Sequence, residues 1–380
     1  MSTLTTNALR ERKFSPVSIE QPFADFVMSV GHQSITSAGA LTAVTEETAL
    51  ETARAQKSIV MGLVPFDPSR PATLWVPQSY TVEERKDAGT ATDGSHNFPA
   101  PSRVEGIDNP RYRQAVGDAV ARMNNGEFDK VVLARTLTAH YDQPLNIADV
   151  YDNLTLQQPR AYTFSVKLPD SDEYLMGASP ELVFKTEAGG RFNTHPLAGS
   201  AQRSAHPGDL EDMQIGEQLM RSAKDRAEHA TVIDDIRSRL APLTEELDAP
   251  AVPELMTTPQ LWHLGTKITG VLKGHLSSLD GARAIHPTPA ICGTPRDIAL
   301  ESIREYEDFD RGYFGGLVGY MDADGNGSWA LVLRCARVSP HRATLFAGAG
   351  IVRASQPESE HAETATKLGT FGKVLGISTR

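Results

Sequence analysis

Residues 313–338 read YFGGLVGYMDADGNGSWALVLRCARV. Two apolar runs, LVGYM and SWALV, flank a polar, glycine-rich centre, so the stretch reads as a β-hairpin. The centre, Asp322–Gly327, looks like the start of a calcium loop. The twelfth position is Leu333, however, where such a loop needs a bidentate glutamate. A polar hairpin turn explains these residues better.

The same strand habit recurs on both sides. KVVLARTLTA from Lys130, AYTFSVKL (161–168), EYLMGA (173–178), LVFKT (182–186), RFNTH (191–195) and ATLFAGAGIV (343–352) all read as strands. LWHLGTKITGVL (261–272) reads as one more. Helices fall between them. Val116, Val120 and Met123 have helical spacing, and Gly126 suits the stop. Further helices are expected over Ile147–Leu156, over Leu210–Leu247 with a break at Pro242, and from Pro357 to about Leu375.

Residues 1–81 read as short strands with a helix near Glu46–Ala55, and 82–110 as an exposed loop rich in Gly, Ala, Pro and Ser. Strands without regular βαβ alternation argue for an α+β fold, with sheets packed together and helices outside. A single domain over 1–380 is expected, with the core catalytic region at 112–376.

The 380 residues are 40% hydrophobic and 22% charged, an ordinary globular balance. A net charge of −11 argues against a nucleic-acid partner, which would need a basic footprint. An anionic substrate would then need a local cluster of cations. Only Cys292 and Cys335 occur, too few for a disulfide framework. The opening MSTLTTNALRERKF lacks a signal-peptide core, and no run reaches the ~18 apolar residues of a membrane span. A cytoplasmic, monomeric protein is expected.

Two acidic pairs suggest chemistry. Asp225 and Glu228 lie in KDRAEH, and Glu360 and Glu363 in ESEHAETATKL, with Lys367 four residues on. At i,i+3 spacing each pair shares one helix face. Two such faces brought together suit Mg2+, a hard cation that keeps some water and holds an anionic substrate. Taken alone, each pair also reads as a solvated surface. Arg334 sits in the apolar run ALVLRCA, where a buried cation needs an anion, from the protein or from a ligand. His263 in LWHLG reads either as a satisfied core histidine or as a site residue. Cys292 reads as a packing residue.

In order, KVVLAR, SPELVF, PLAGSA, KDRAEH, LWHLGTKITG, HPTPAICGTP, RGYFGGLVGY, LRCA, LFAGAGIV and ETATKL resemble the chorismate-utilising enzymes, the family that includes anthranilate, aminodeoxychorismate, salicylate and isochorismate synthases. The resemblance covers about Tyr112 to Gly376 and is nearest to the isochorismate synthase branch, on HPTPAICGTP. Ala198 stands where aminodeoxychorismate synthases place a nucleophilic lysine, and Phe314 where salicylate synthases have tyrosine.

The resemblance implies two packed, mainly antiparallel sheets and chorismate as substrate. It implies Lys130 as base, Glu181 as acid, and Mg2+ held by Glu228 and Glu363, with Asp225 and Glu360 behind them. Arg334 and Lys367 would bind the pyruvyl carboxylate, with backbone N–H groups from Gly348 and Gly350. Gly199 and Ser200 would flank the ring hydroxyl region, His263 would line the pocket, Ile291, Leu333 and Phe346 would form apolar walls, and Phe314 would be a further substrate-binding residue. No amidotransferase partner is implied.

Overall fold

The computed structural model describes residues 23–85, 98–257 and 261–379. The first half runs β1 (Phe26–Val30), β2 (Gln33–Val44), α1 (Ala49–Gln56), β3 (Val60–Val64), β4 (Thr73–Glu84), β5 (Arg103–Glu105), α2 (Pro110–Asn124), β6 (Lys130–His140), α3 (Ile147–Gln157), β7 (Tyr162–Lys167), β8 (Tyr174–Ser179) and β9 (Leu182–Glu187). Next come β10 (Arg191–Thr194), β11 (Leu197–Gln202), α4 (Leu210–Arg221), α5 (Ala223–Leu240), β12 (Thr244–Asp248), β13 (Glu254–Thr257), β14 (Leu261–Gly265) and β15 (Ile268–Leu272). The chain ends with α6 (Ser278–Ile285), β16 (Gly293–Thr294), α7 (Arg296–Tyr306), β17 (Leu317–Met321), β18 (Gly327–Leu331), β19 (Cys335–Ser339), β20 (Arg342–Ile351) and α8 (Pro357–Gly372).

Every strand pairing among the described residues is antiparallel. One continuous ladder runs β5–β6–β20–β19–β8–β7–β1–β2–β4–β3–β17–β18–β9–β10–β15–β12, with β16 on the start of β6. Its two halves face each other. Phe26, Phe164, Leu175 and Phe346 from one half share a buried core with Met61, Leu63, Val318 and Ala330 from the other. Helices cover the outer faces. α3 and α8 pack with Leu137, Ala139 and Leu345, while α2, α5, α6 and α7 pack with Val131, Leu133 and Phe184. Trp329, fully buried on β18, donates to Ser278 Oγ at 3.1 Å and pins α6 to the sheet. The expected α+β architecture of packed antiparallel layers with helices outside is present. The two layers are halves of one hydrogen-bonded ladder, and a separate sheet, β11–β14–β13, accompanies them.

The helix expected over 210–247 differs. It breaks at Ser222, which is extended and caps α5 by accepting from Asp225 N at 3.2 Å. Past Pro242 the chain is strand β12, not helix. LWHLGTKITGVL is two strands in two sheets: β14 pairs with β11, and β15 with β10. Within 82–110, β4 reaches Glu84 and β5 pairs with β6, so the segment is not wholly loop. Residues 86–97, and the opening MSTLTTNALRERKF, lie outside the described residues. Arg334 does not continue a strand. It sits between β18 and β19 at φ +48°. The turn at 322–327 is the polar hairpin expected, with Asp322 Oδ1 accepting from Asp324 N and Asn326 N, each at 2.9 Å. Cys292 is buried, as a packing residue should be.

Candidate active site

The site is a ring of elements linked by contacts, except at one step where only the charge of Arg334 reaches His263. It begins at Lys130, the first residue of β6. Alternation sends Val131 and Leu133 to the helix side and Ala134 to the inner core, so Lys130 shares the inner parity. β20 runs alongside, pairing Gly350 with Val132 and Gly348 with Ala134. A Cβ on Gly350 would stand 3.1 Å from Lys130 Cε and 3.7 Å from its Nζ. Bare backbone at 350 therefore makes room for the lysine.

From Lys130 the ring passes to α5, where Nζ donates to Glu228 Oε1 at 2.5 Å. The helix start explains the aim of Glu228. Ser222 caps it and its hydroxyl also donates to the Asp225 carboxylate, so the first turn is fixed. In the other direction the ring passes along β20 to α8. Pairing with β19 stops at Leu345, which leaves that edge of Gly348 to other partners. Lys367 Nζ donates to Gly348 O at 2.9 Å and lies 2.6 Å from Glu363 Oε1, one turn earlier on the helix. Burial raises the pKa of Glu360, opposed by a bond from Ser355 and reinforced by the Glu363 charge.

The small sheet closes the ring. His263 on β14 stands opposite Ser200 on β11. Burial, helped by the nearby charges of Arg334 and Lys367, lowers the His263 pKa to about 4, so the imidazole is neutral. It is desolvated, and the charges of Arg334 and Lys367 act on it. Gly199, at φ +80°, brings its backbone against α5; a Cβ there would be 3.3 Å from Asp225 Cβ. Arg334 Nη1 donates to Thr370 Oγ1 on α8 at 2.8 Å. Burial lowers its pKa, partly offset by Glu363. Thus α5, β6, β20, α8, Arg334, β14 and β11 return to α5.

Glu181 lies between β8 and β9, beside this ring. Its carbonyl accepts from Leu331 N at 3.0 Å, just before Leu333 and Arg334. Its carboxyl has no hydrogen bond among the described residues, and loss of hydration pushes its pKa up to about 7. A carboxyl poised there can give up a proton near neutrality. No ion pair joins it to Lys130 among the described residues.

Phe314 and Phe346 stack in the inner core, ring centroids 5.3 Å apart, and Leu333 packs beside them. Ile291 is buried in the helix-side core. A groove of about 410 Å³ runs along α5 between Ala227, Arg237 and Pro250, and Lys130, Glu181 and Glu228 do not line it.

Sequence reasoning passed over three supports. Arg311 and Glu307 form an almost fully buried pair at 2.5 Å. Arg311 donates to Val132 O at 2.7 Å and Glu307 accepts from Ala134 N at 2.8 Å, so together they brace β6 behind Lys130. Arg135, fully buried, donates to Thr364 Oγ1 on α8 at 2.8 Å and to Gly106 O at 2.6 Å. Both arginines sit in quoted apolar motifs, and that mismatch was the available signal. Thr370 carried none.

Among the described residues no three His, Cys, Asp or Glu side chains group as a ready metal site. The chemistry of the donors still fits a hard cation. Two carboxylates come from α5 and two from α8, and one of each pair is held by a lysine.

Residues 42–376 match the family described as chorismate binding enzyme. The chain belongs to the chorismate-binding enzyme family. It is 38% identical over 322 residues to the isochorismate synthase EntC of Escherichia coli strain K12, covering 84% of this chain and 81% of that one. Its fold is similar to that of a putative 2,3-dihydroxybenzoate-specific isochorismate synthase, DhbC, from Bacillus anthracis, with a TM-score of 0.83, 32% identity, and 94% and 98% of the two chains covered. It is similar also to MenF, the menaquinone-specific isochorismate synthase from Escherichia coli, with a TM-score of 0.81, 26% identity, and 94% and 90% covered. No described helix of this family member is long and apolar enough to cross a membrane.

Proposed function

We propose that the protein is an isochorismate synthase, interconverting chorismate and isochorismate. The observation that carries this is the linkage of an amine, Lys130, to the cations Arg334 and Lys367 through β6, β20 and α8, with Glu181 on a turn whose backbone bonds to the segment leading to Arg334. The relatives' names support the same reading. We assign the product to siderophore or menaquinone synthesis; the relatives' names carry 2,3-dihydroxybenzoate and menaquinone.

Water adds at C2 of the ring and the C4 hydroxyl leaves as water, so the composition is unchanged. Lys130 takes the proton from the attacking water. To do so it must first lose a proton, for which Glu228 is the acceptor in contact, because an ammonium offers no lone pair. Glu181 protonates the departing hydroxyl, and its raised pKa suits that role. Arg334 and Lys367 hold the pyruvyl carboxylate, and neutral His263 with Ser200 lines the ring. The backbone of Gly348 and Gly350 approaches the substrate where side chains are absent.

Mg2+ is the cofactor this donor set fits, with Glu228 and Glu363 as ligands and Asp225 and Glu360 orienting them. When bound it supplies charge neutralisation of the ring carboxylate as the double bonds shift.

Incubation with chorismate and Mg2+ followed by chromatography tests the reading. Isochorismate without free pyruvate is expected. Free pyruvate with salicylate would move the assignment to a salicylate synthase, and chorismate bound but unconverted would leave only a binding protein.

A further inference from the structure

We propose that Thr370 is a positioning residue whose hydroxyl sets the rotation of the Arg334 guanidinium for a substrate carboxylate. The inference rests on the site reading above and names a residue that reading does not use.

The backbone of Arg334 is clamped. It lies at φ +48°, a region that side-chain-bearing residues enter rarely, and its carbonyl accepts from Ala178 N at 3.2 Å. Such a position persists only where its surroundings impose it. The side chain is held at one point, Nη1 to Thr370 Oγ1 at 2.8 Å. No carboxylate forms an ion pair with Arg334 among the described residues, and Glu363 acts on it only through its field. A guanidinium has five N–H donors in a rigid planar fork. One bond to a neutral hydroxyl leaves most of the fork free and a half-buried charge with no ion-pair partner among the described residues.

A carboxylate is the fork-shaped anion that such a group receives through two parallel bonds, and these require the plane to be correctly turned. A pinned nitrogen narrows the orientations open to that plane. A hydroxyl does so without neutralising the charge, whereas a protein carboxylate would compete with substrate. Thr370 is three residues beyond Lys367 and shares its helix face. α8 therefore presents a direct cation, Lys367, tied to Gly348 O, and the hydroxyl that aims a second cation arriving from another element.

The experiment compares steady-state kinetics of the full-length protein and its variants. Thr370→Val keeps the shape and removes the acceptor. It should raise KM for chorismate about five- to tenfold while kcat stays within about twofold, the pattern of lost uniform binding. Thr370→Ser should restore the wild-type KM. In an Arg334→Ala background Thr370→Val should add nothing further. An unchanged KM in Thr370→Val, no rescue by serine, or an equal increase without Arg334 overturns the proposal. If valine does not fold, Thr370→Ala takes its place. If the wild type makes no isochorismate, the function reading fails separately, and chorismate affinity by calorimetry gives the same comparison.

Discussion

Lys130 Nζ and Glu228 Oε1 lie 2.5 Å apart although 98 residues separate them in the chain. This contact ties the strand bearing the amine to the helix bearing one acidic pair. It also joins two functions that sequence motifs assign separately, acid–base work and ligand binding. The pair should act as a unit. Lys130→Met and Glu228→Gln are each expected to lower kcat about a hundred- to ten-thousandfold. The double variant should be little worse than the poorer single one. Kinetics on samples with wild-type circular dichroism would check this. Losses that simply multiply would mean the two residues work independently.

The Glu181 carboxyl gives a pH signature. Burial raises its pKa from 4.5 to about 7. Between those values the folded state binds the proton more tightly than the unfolded chain. Its contribution therefore lowers stability as pH climbs from 4.5 through about 7. The same group acts as acid only while protonated, so kcat should fall above about pH 7. Glu181→Gln should remove that limb along with turnover, and should lose less stability than wild type between about pH 5 and pH 8 in thermal melts. A variant with near-normal rates would reject the acid role.

How much of this was written in the sequence differs by element. Strands with clear alternation, such as β6 and β20, were legible because their pattern is local. So were both acidic pairs, since i,i+3 spacing needs no tertiary knowledge. The break at Ser222 was not, because apolar spacing continues through it and only the cap bond to Asp225 N marks the end. β14 and β15 read as one strand because nothing at Thr266–Lys267 signals a change of sheet. The helices α6 and α7 went unread between stronger motifs. Arg334 was legible as a buried cation, but its left-handed backbone and its tie to Thr370 depend on contacts 36 residues away.

The carboxylates on α5 and α8 should govern metal binding with graded severity. Asp225→Asn and Glu360→Gln, at the groups proposed to stand behind the ligands, are expected to weaken Mg2+ about ten- to a hundredfold. Glu228→Ala and Glu363→Ala should weaken it further, together with loss of turnover. Calorimetric titration of Mg2+ reads this without relying on activity. An unaltered titration in Glu228→Ala would remove it from the ligand set.

Gly350 offers a test of the ring that leaves every reacting group in place. A Cβ there meets the far end of the Lys130 side chain at 3.1 Å, which is tight, yet meets no other heavy atom within 4 Å. The flexible lysine can move aside, so the fold should tolerate Gly350→Ala with a stability change under about 1 kcal/mol. The amine cannot move aside and also keep its contact with Glu228. A misplacement of this size is expected to lower kcat about a hundredfold. Thermal melts and kinetics on the same sample separate the two effects. If Gly350→Ala melts like wild type and also turns over like wild type, Lys130 does not need the position that the bare backbone of β20 leaves for it, and its assignment as the base loses its geometric support.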